Sequence, residues 1–334
     1  MNIRHCISVL ALILAGFYAQ AQEADSVEVG IAAYWEKGDV YTYQYTNEKY
    51  NVDERGDTTY VSRSGNLKTM KVVSMTDDTY TLKITSSDSW HSDPERSKLL
   101  ADVYRKCGPE EVILLTDEYG SPLQILNWKD IVKYYEKAKK VMISSMLKIK
   151  KGTSDVPEKE MREYLEGVFK NLDNQEIIKS AIDREISNLF IFHGNYYTID
   201  KVYDNDFKVA PLVNGADSLN MHTEYWIDGS VSDDEAVVFR MSTEIPSDEM
   251  KSYSKAVYVN ALGVPSLCNI PVEMSSAEYV TELIHLDTGV PLRYYYDKVM
   301  TTSCTREDGE VATTQTVESM SVKLVSAEAK ENKT

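Results

Sequence analysis

Residues 40–46 read Val-Tyr-Thr-Tyr-Gln-Tyr-Thr, and Tyr41, Tyr43 and Tyr45 fall at alternate positions between polar partners. Side chains of a β-strand point to opposite faces in turn, so this stretch is a strand with one aromatic face and one polar face. A face of three tyrosines needs a large apolar partner. The neighbouring sequence supplies more strands to build it. Arg55-Gly56-Asp57 reads as a turn, Thr58–Met75 as a second strand, Asp77-Asp78 as the next turn and Tyr80–Ile84 as a third strand. Asp93 followed by Pro94 marks a helix start, and Gly108 closes that helix. Val112–Leu115, a turn at Asp117–Gly120 and Pro122–Leu126 form another hairpin.

The pattern then changes period. Trp128, Ile131, Val132, Tyr135, Ala138, Met142, Met146 and Ile149 follow helical spacing on one stripe, and Gly152 ends that helix. Asp155 reads as the cap of a second helix, with Pro157 and Glu158 in its first turn. Asp173 with Glu176 reads as the capping-box start of a third, reaching Leu189. Strands return after Asn195. Their expected positions are Tyr196–Val202, His222–Ile227, Ala236–Ser242, Lys255–Asn260, Tyr279–Leu286, Leu292–Met300 and Thr313–Leu324, with Asp308-Gly309 as a hairpin turn. The expected organisation of the mature chain is one α+β domain: strands over 30–126, helices over 127–190 and strands over 195–325. Two separate sheets, one per strand block, are the other arrangement this order permits.

One short element recurs. Asp117-Glu118-Tyr119-Gly120-Ser121-Pro122, Asn260-Ala261-Leu262-Gly263-Val264-Pro265 and Asp287-Thr288-Gly289-Val290-Pro291 share Gly-x-Pro after a strand. Glycine can take positive φ in the turn, and proline fixes φ where the next strand begins. Equivalent hairpins on one curved sheet are expected. Long antiparallel strands, a helical insertion and these hairpins resemble the unclosed β-barrels of the LolA and LppX lipoprotein-carrier superfamily. The resemblance implies a curved antiparallel, open-barrel-like sheet wrapped around about three helices, with an apolar cavity for lipid or acyl chains. It transfers no ligand-binding residue.

The start of the chain, MNIRHCISVLALILAGFYAQAQ, reads as a secretory signal spanning residues 1–21. Arg4 and His5 form its basic start, Ile7–Phe17 its apolar run and Ala19-Gln20-Ala21 its cleavage site, cut between Ala21 and Gln22. Lipidation needs a cysteine directly after the cut. Cys6 lies before the apolar run, so the expected product is exported to the periplasm or beyond without a lipid anchor. The leader and the tyrosine-rich chain resemble exported envelope proteins of Gram-negative bacteria. No transmembrane segment is read after it. The formal net charge of −17 repels phosphate backbones and argues against nucleic acid as a partner. The mature cysteines Cys107, Cys268 and Cys304 match no metal spacing, and Cys268 with Cys304 is the pair to test for a disulfide.

Chemistry-bearing patterns are sparse. His91, His193, His222 and His285 form no zinc-protease pair, and neither a Gly-x-Ser-x-Gly elbow nor a phosphate loop is present. No catalytic residue, metal ligand or cofactor is assigned. Asp228–Glu235 places oxygen ligands at alternate positions but has Asp233 where a calcium loop has glycine and Phe239 where it has an acid, so it reads as a solvated acidic hairpin. Arg55-Gly56-Asp57 reads as turn chemistry rather than an adhesion motif. Lys129, Lys133, Lys137, Lys139, Lys140, Lys148, Lys150 and Lys151 crowd one helix, offering either an anionic-surface contact or a solvated face with some ion pairs. Tyr225, Trp226, Tyr294, Tyr295 and Tyr296 can line a cavity or pack as core, with Tyr295 on the opposite face from its neighbours. The expected function is a non-catalytic exported protein binding an apolar ligand or lipid. A structural or interaction protein of the cell envelope is the alternative, and an enzyme with a dispersed acidic site stands last.

Overall fold

The computed structural model describes residues 27–150, 156–209, 218–232, 236–247, 249–250, 253, 272–305 and 311–328. The leader with its cut at Ala21 and Gln22, Gly152, Asp155, the Lys255–Asn260 strand, the Gly263 turn, Cys268 and Asp308-Gly309 lie outside the described residues.

Both strand blocks join one antiparallel sheet of eleven strands that does not close into a barrel, with its edges at β6 (Pro122–Ile125) and β8 (Tyr203–Val209). The two-sheet arrangement is thereby excluded. In chain order the strands are β2 (Val40–Val52), β3 (Thr58–Met75), β4 (Thr79–His91), β5 (Glu111–Asp117), β6 (Pro122–Ile125), β8 (Tyr203–Val209), β9 (Leu219–Ser232), β10 (Ala236–Ile245), β11 (Val272–His285), β12 (Val290–Thr305) and β13 (Val311–Glu328). The two blocks meet where β13 pairs with β2 over Gln315↔Val52 to Glu328↔Val40. A separate ribbon of β1 (Glu28–Ile31) and β7 (Asn195–Thr198) covers one end. Of the expected strand Tyr196–Val202, only the part up to Thr198 is strand, and the next strand begins beyond its bounds. β7 stops at Thr198, Asp200 takes φ 62°, and the chain re-enters the large sheet as β8.

Four α-helices accompany the sheet, α1 (Pro94–Cys107), α2 (Trp128–Lys150), α3 (Glu158–Val168) and α4 (Gln175–Leu189), with a short 3-10 helix at Lys170–Asp173 between the last two. At α1 the Asp93 carboxylate accepts from the Glu95 and Arg96 amides, while the Gly108 amide bonds to Tyr104 O at φ 83°. The cap of α4 is Asn174 and not Asp173, because the Asn174 side chain accepts from the Glu176 and Ile177 amides. Asp173 instead accepts from Lys139 Nζ at 2.6 Å. The buried stripe of α2 also departs from the expected one. It continues through Val141, Ile143 and Ser145, leaving Met142, Met146 and Ile149 half-buried. Ala138 and Val141 pack on Val103 of α1, and the Ser145 hydroxyl donates to Asp102, so α1 covers that side of the helix.

The aromatic face of β2 sits where the alternation puts it. Tyr41, Tyr43 and Tyr45 are buried with Met70, Val72, Leu82, Leu114, Tyr294 and Val322, against Ile178, Ile182, Ile186 and Leu189 of α4. One end of this concave interior is closed. The Ala33 amide bonds to Tyr119 O at 2.8 Å and the Tyr34 amide to Thr288 O at 3.1 Å, so one extended segment bridges the β5–β6 turn and the β11–β12 turn. Four strands lie between β5 and β12 in the sheet, and joining those turns requires strong curvature. Both turns carry Gly-x-Pro. Gly120 has φ 92° and its missing Cβ would lie 2.9 Å from Ala33 Cβ. Gly289 has φ 62° and a Cβ there would lie 2.0 Å from Ala32 O. The recurring turns thus let two hairpins grip the same segment.

Candidate functional site

The inward face of the sheet is arranged in rungs that run across the strands and change character towards the open end. The first rung is Asn66, Tyr45, Val322, Tyr294, Glu282, Phe239 and Ile227, in register from β3 to β9. The second is Ser64, Asn47, Met320, Tyr296, Val280, Met241 and Tyr225. The third is Ser62, Lys49, Glu318, Lys298 and Glu278. An apolar base therefore gives way, over about 14 Å of strand at two residues per rung, to a rim of alternating charge.

Between these rungs and α4 lies an open cavity of ≈ 750 Å³. Helix α4 presents two stripes. Ile178, Ile182, Ile186 and Leu189 enter the core, while Ala181, Arg184, Glu185 and Asn188 face the cavity. Tyr45, Tyr294, Tyr296, Met320, Val280 and Met241 supply its apolar lining. Of the aromatics named from sequence, Tyr294 and Tyr296 line the cavity. Tyr295 is exposed on the other face, and Tyr225 stacks on Tyr203 at 5.2 Å. The lining is more polar than the purely apolar cavity expected from sequence.

The charges at the rim are mostly matched. Lys49 Nζ lies 2.7 Å from Glu318 and Lys298 Nζ lies 3.3 Å from Glu278. The Lys49 hydrogen bond, aided by the charges of Lys298 and Arg184, holds the Glu318 carboxyl below the usual range against the opposing pull of burial. Lys68 links the sheet to α4 through Glu185 at 2.5 Å and sits 5.2 Å from the Tyr45 ring centroid. Beyond this pair a crevice of ≈ 30 Å³ continues under α4, lined by Ile84, Val112, Ile182, Ile186 and Phe190. Arg184 has no ion pair or hydrogen bond among the described residues. Glu278, Glu318 and Glu185 each hold a lysine, so none of them is a free acid or base.

In the first rung, beside Tyr294, Glu282 is 0% exposed and neither carboxyl oxygen has a hydrogen-bond partner among the described residues. Burial drives its pKa far above the ordinary carboxylate value, which favours the neutral form. Perturbed carboxyls mark functional sites when they face a cleft. Glu282 is not among the cavity-lining residues and sits between Tyr294 and Phe239 across the strands. Tyr43, whose hydroxyl is also unpartnered among the described residues, has its pKa raised by burial first, then by Tyr41 and last by Glu282.

The histidines are dispersed. His193 lies at the closed end, where its Nε2 donates to Gly289 O at 2.7 Å beside Trp35 and Phe190, and burial lowers its pKa to about 4. Exposed His222 pairs with Asp206 at 2.7 Å, which raises its pKa. His91 Nδ1 accepts from the Asp93 amide, and His285 contacts Thr288. Asp228 pairs with Arg240 at 2.9 Å. In the 55–57 turn, Asp53 accepts from the Arg55 and Asp57 amides. Among the described residues no group of His, Cys, Asp or Glu is placed to hold a metal ion, and Cys107 is a free thiol. Lysines of α2 divide between ion pairs, with Lys139 held by Glu166 and Asp173 and Lys150 near Glu95, and an exposed face of Lys129, Lys137 and Lys140. No described helix is long and apolar enough to cross a membrane.

No protein-family model matches the chain, and no curated protein matches it. Among solved structures the chain is weakly similar to lipovitellin, in a structure concerned with lipid–protein interactions, at 11% identity and a TM-score of 0.38. That match covers 90% of this chain and 26% of lipovitellin, so the chain spans about a quarter of it. It is also weakly similar to the outer membrane protein OmpT of Vibrio cholerae, at 8% identity and a TM-score of 0.18 over 86% of this chain and 100% of that one. The attachment invasion locus protein Ail of Yersinia pestis follows, at 4% identity and a TM-score of 0.12 over 86% and 99% of the two chains.

Proposed function

We propose that the protein is an exported, non-catalytic binding protein of the bacterial envelope, without a lipid anchor, that carries an amphiphilic or lipid-like ligand in the cavity between its sheet and α4. The observation that carries this reading is the cavity itself. Its ≈ 750 Å³ falls within the usual range of small-molecule sites, and its lining grades from tyrosine and methionine to paired lysine and glutamate. Such a gradient suits a molecule with an apolar body and a polar head better than the purely apolar ligand the sequence suggests. The secretory leader supports export, and the open, curved sheet supports the likeness to LolA and LppX carriers. Native mass spectrometry of the protein purified from its own host under gentle conditions tests it. A co-purifying lipid-sized adduct is expected. A mass equal to the bare mature chain, with no adduct after incubation with host lipid extract, contradicts it.

A second reading, an interaction protein of the envelope, is favoured by one observation. Tyr34, Tyr119 and Tyr196 are exposed around the closed end, away from the cavity. Tyrosine is enriched at protein interfaces because it presents an apolar body with a polar tip. Crosslinking in intact cells to a specific envelope protein, abolished by Tyr196→Ser, is the outcome that reading requires.

A further inference from the structure

We propose that α2 docks the protein on an anionic phospholipid bilayer through one stripe of lysines. Lys129, Lys133, Lys137, Lys140 and Lys148 recur at intervals of three, four and eight residues, and all five are exposed. At helical spacing they fall within an arc of about 100° and run for about 28 Å along the helix. The other faces of α2 are already covered. Ala138 and Val141 pack on Val103 of α1, and Lys139 is held by Glu166 of α3 and by Asp173.

The stripe is cationic after its acids are counted. Asp130 and Glu136 stand at its two margins, and Asp130 lies 3.4 Å from Lys133 in an exposed pair, a kind that contributes little. Lys129, Lys137, Lys140 and Lys148 hold no ion pair among the described residues. The neighbouring helix adds to the charge. Together α1 and α2 carry eleven lysines and arginines against four acids, on a chain of net −17. The acidic helix α3 meets α2 at Lys139, which lies outside the arc.

The composition of the stripe favours a bilayer over a protein partner. Protein interfaces are rich in tyrosine, tryptophan and arginine and poor in lysine. The stripe contains neither arginine nor an aromatic residue. Ammonium groups on flexible stems need no fixed partner geometry, which suits a fluid layer of phosphates. Four to eight cations on one helix is the density that draws a protein to anionic lipid. Screening over about 8 Å confines the attraction to the face in contact, so the acidic remainder of the chain does not cancel it and is turned away from the surface. This surface does not depend on the cavity being a ligand site.

The test is co-sedimentation of the full mature chain with vesicles of phosphatidylcholine alone or with about one third phosphatidylglycerol. At low salt, partition into the anionic vesicles is expected to exceed that into the neutral ones by at least about tenfold, and about 0.5 M salt should abolish the difference. Replacing Lys129, Lys137, Lys140 and Lys148 together by glutamine breaks no ion pair among the described residues, so the thermal midpoint should hold. The anionic preference of that variant should fall to within about twofold. The same loss of charge at the exposed Lys71, Lys201, Lys208 and Lys323 should leave the preference in place. Equal partition of the parent chain into both vesicle types overturns the proposal, and its retention on immobilised polyglutamate in that case assigns the stripe to an acidic protein instead. A preference that survives the α2 substitutions, or that falls equally in both variants, overturns the assignment to this stripe.

Discussion

At the closed end the interior is filled by Trp35, Phe190 and His193, and hairpin turns lock onto the 31–35 segment through main-chain hydrogen bonds. At the open end the same strands carry Lys49, Glu318, Lys298 and Glu278 around a cavity. The same strands run through both ends, and the difference lies in which residues occupy the inward positions of each rung. The closed end concentrates the apolar burial that stabilises the fold. The open end makes partly exposed ion pairs at its rim and leaves space. Stability and ligand space are therefore separated along the strands, and substitutions at the two ends should separate in the same way.

The largest effect is expected at the closed end. Trp35 is 1% exposed and contacts Tyr80, Phe190 and His193. Trp35→Ala should cost about 4 kcal/mol in urea unfolding, the usual scale for a large aromatic removed from a core. A cost under about 1 kcal/mol would mean that this end is not the stabilising core.

Next is the pH dependence of His193. Its folded pKa is about 4, below the ordinary 6.5, so the unfolded chain takes up the proton first as pH falls. The contribution is fully present above 6.5 and is lost as pH drops towards 4, by about 3 kcal/mol. His193→Gln should flatten the stability profile in that window. Glu282 acts in the opposite sense. Its folded pKa is raised, so the native state retains a proton that the unfolded chain releases above about 4.5. Stability then falls as pH rises. Glu282→Gln should stabilise the protein by about 2 kcal/mol at neutral pH, with the gain vanishing below the ordinary carboxylate range. A destabilised Glu282→Gln at neutral pH would show that the carboxyl is ionised and partnered. At the rim, Lys49→Ala should change stability by less than about 1 kcal/mol, because its pair with Glu318 is half-exposed.

Much of the closed end is legible in the sequence. Alternation assigned Tyr41, Tyr43 and Tyr45 to one face, and Gly-x-Pro marked the turns that meet at Ala33. Local rules also placed α1, because its cap residues are contiguous. Where two cap residues adjoin, as at Asp173 and Asn174, local rules do not decide. A lysine from α2 claims Asp173 and leaves the cap to Asn174. The site was less legible. The ladder of Lys49, Glu318, Lys298 and Glu278 exists only once β2 is in register with β13, whose residues lie hundreds of positions away in the chain. Arg184 and Glu185 lie on the second stripe of a helix whose first stripe, Ile178, Ile182 and Ile186, is the one periodicity reports. Glu282 did leave a signal. Val280, Glu282 and Ile284 alternate on one face, and a glutamate on an otherwise apolar face marks a buried acid.

The separation of the two ends is tested most directly by blocking the space without touching the core. Ala181 lines the cavity from the exposed stripe of α4, so Ala181→Trp fills it from the solvent side. Titration of parent and variant with a fluorescent fatty-acid probe, alongside their thermal midpoints, should show binding reduced by more than about tenfold at an unchanged midpoint. Undiminished probe binding by a folded Ala181→Trp protein would contradict the placement of the ligand between the sheet and α4.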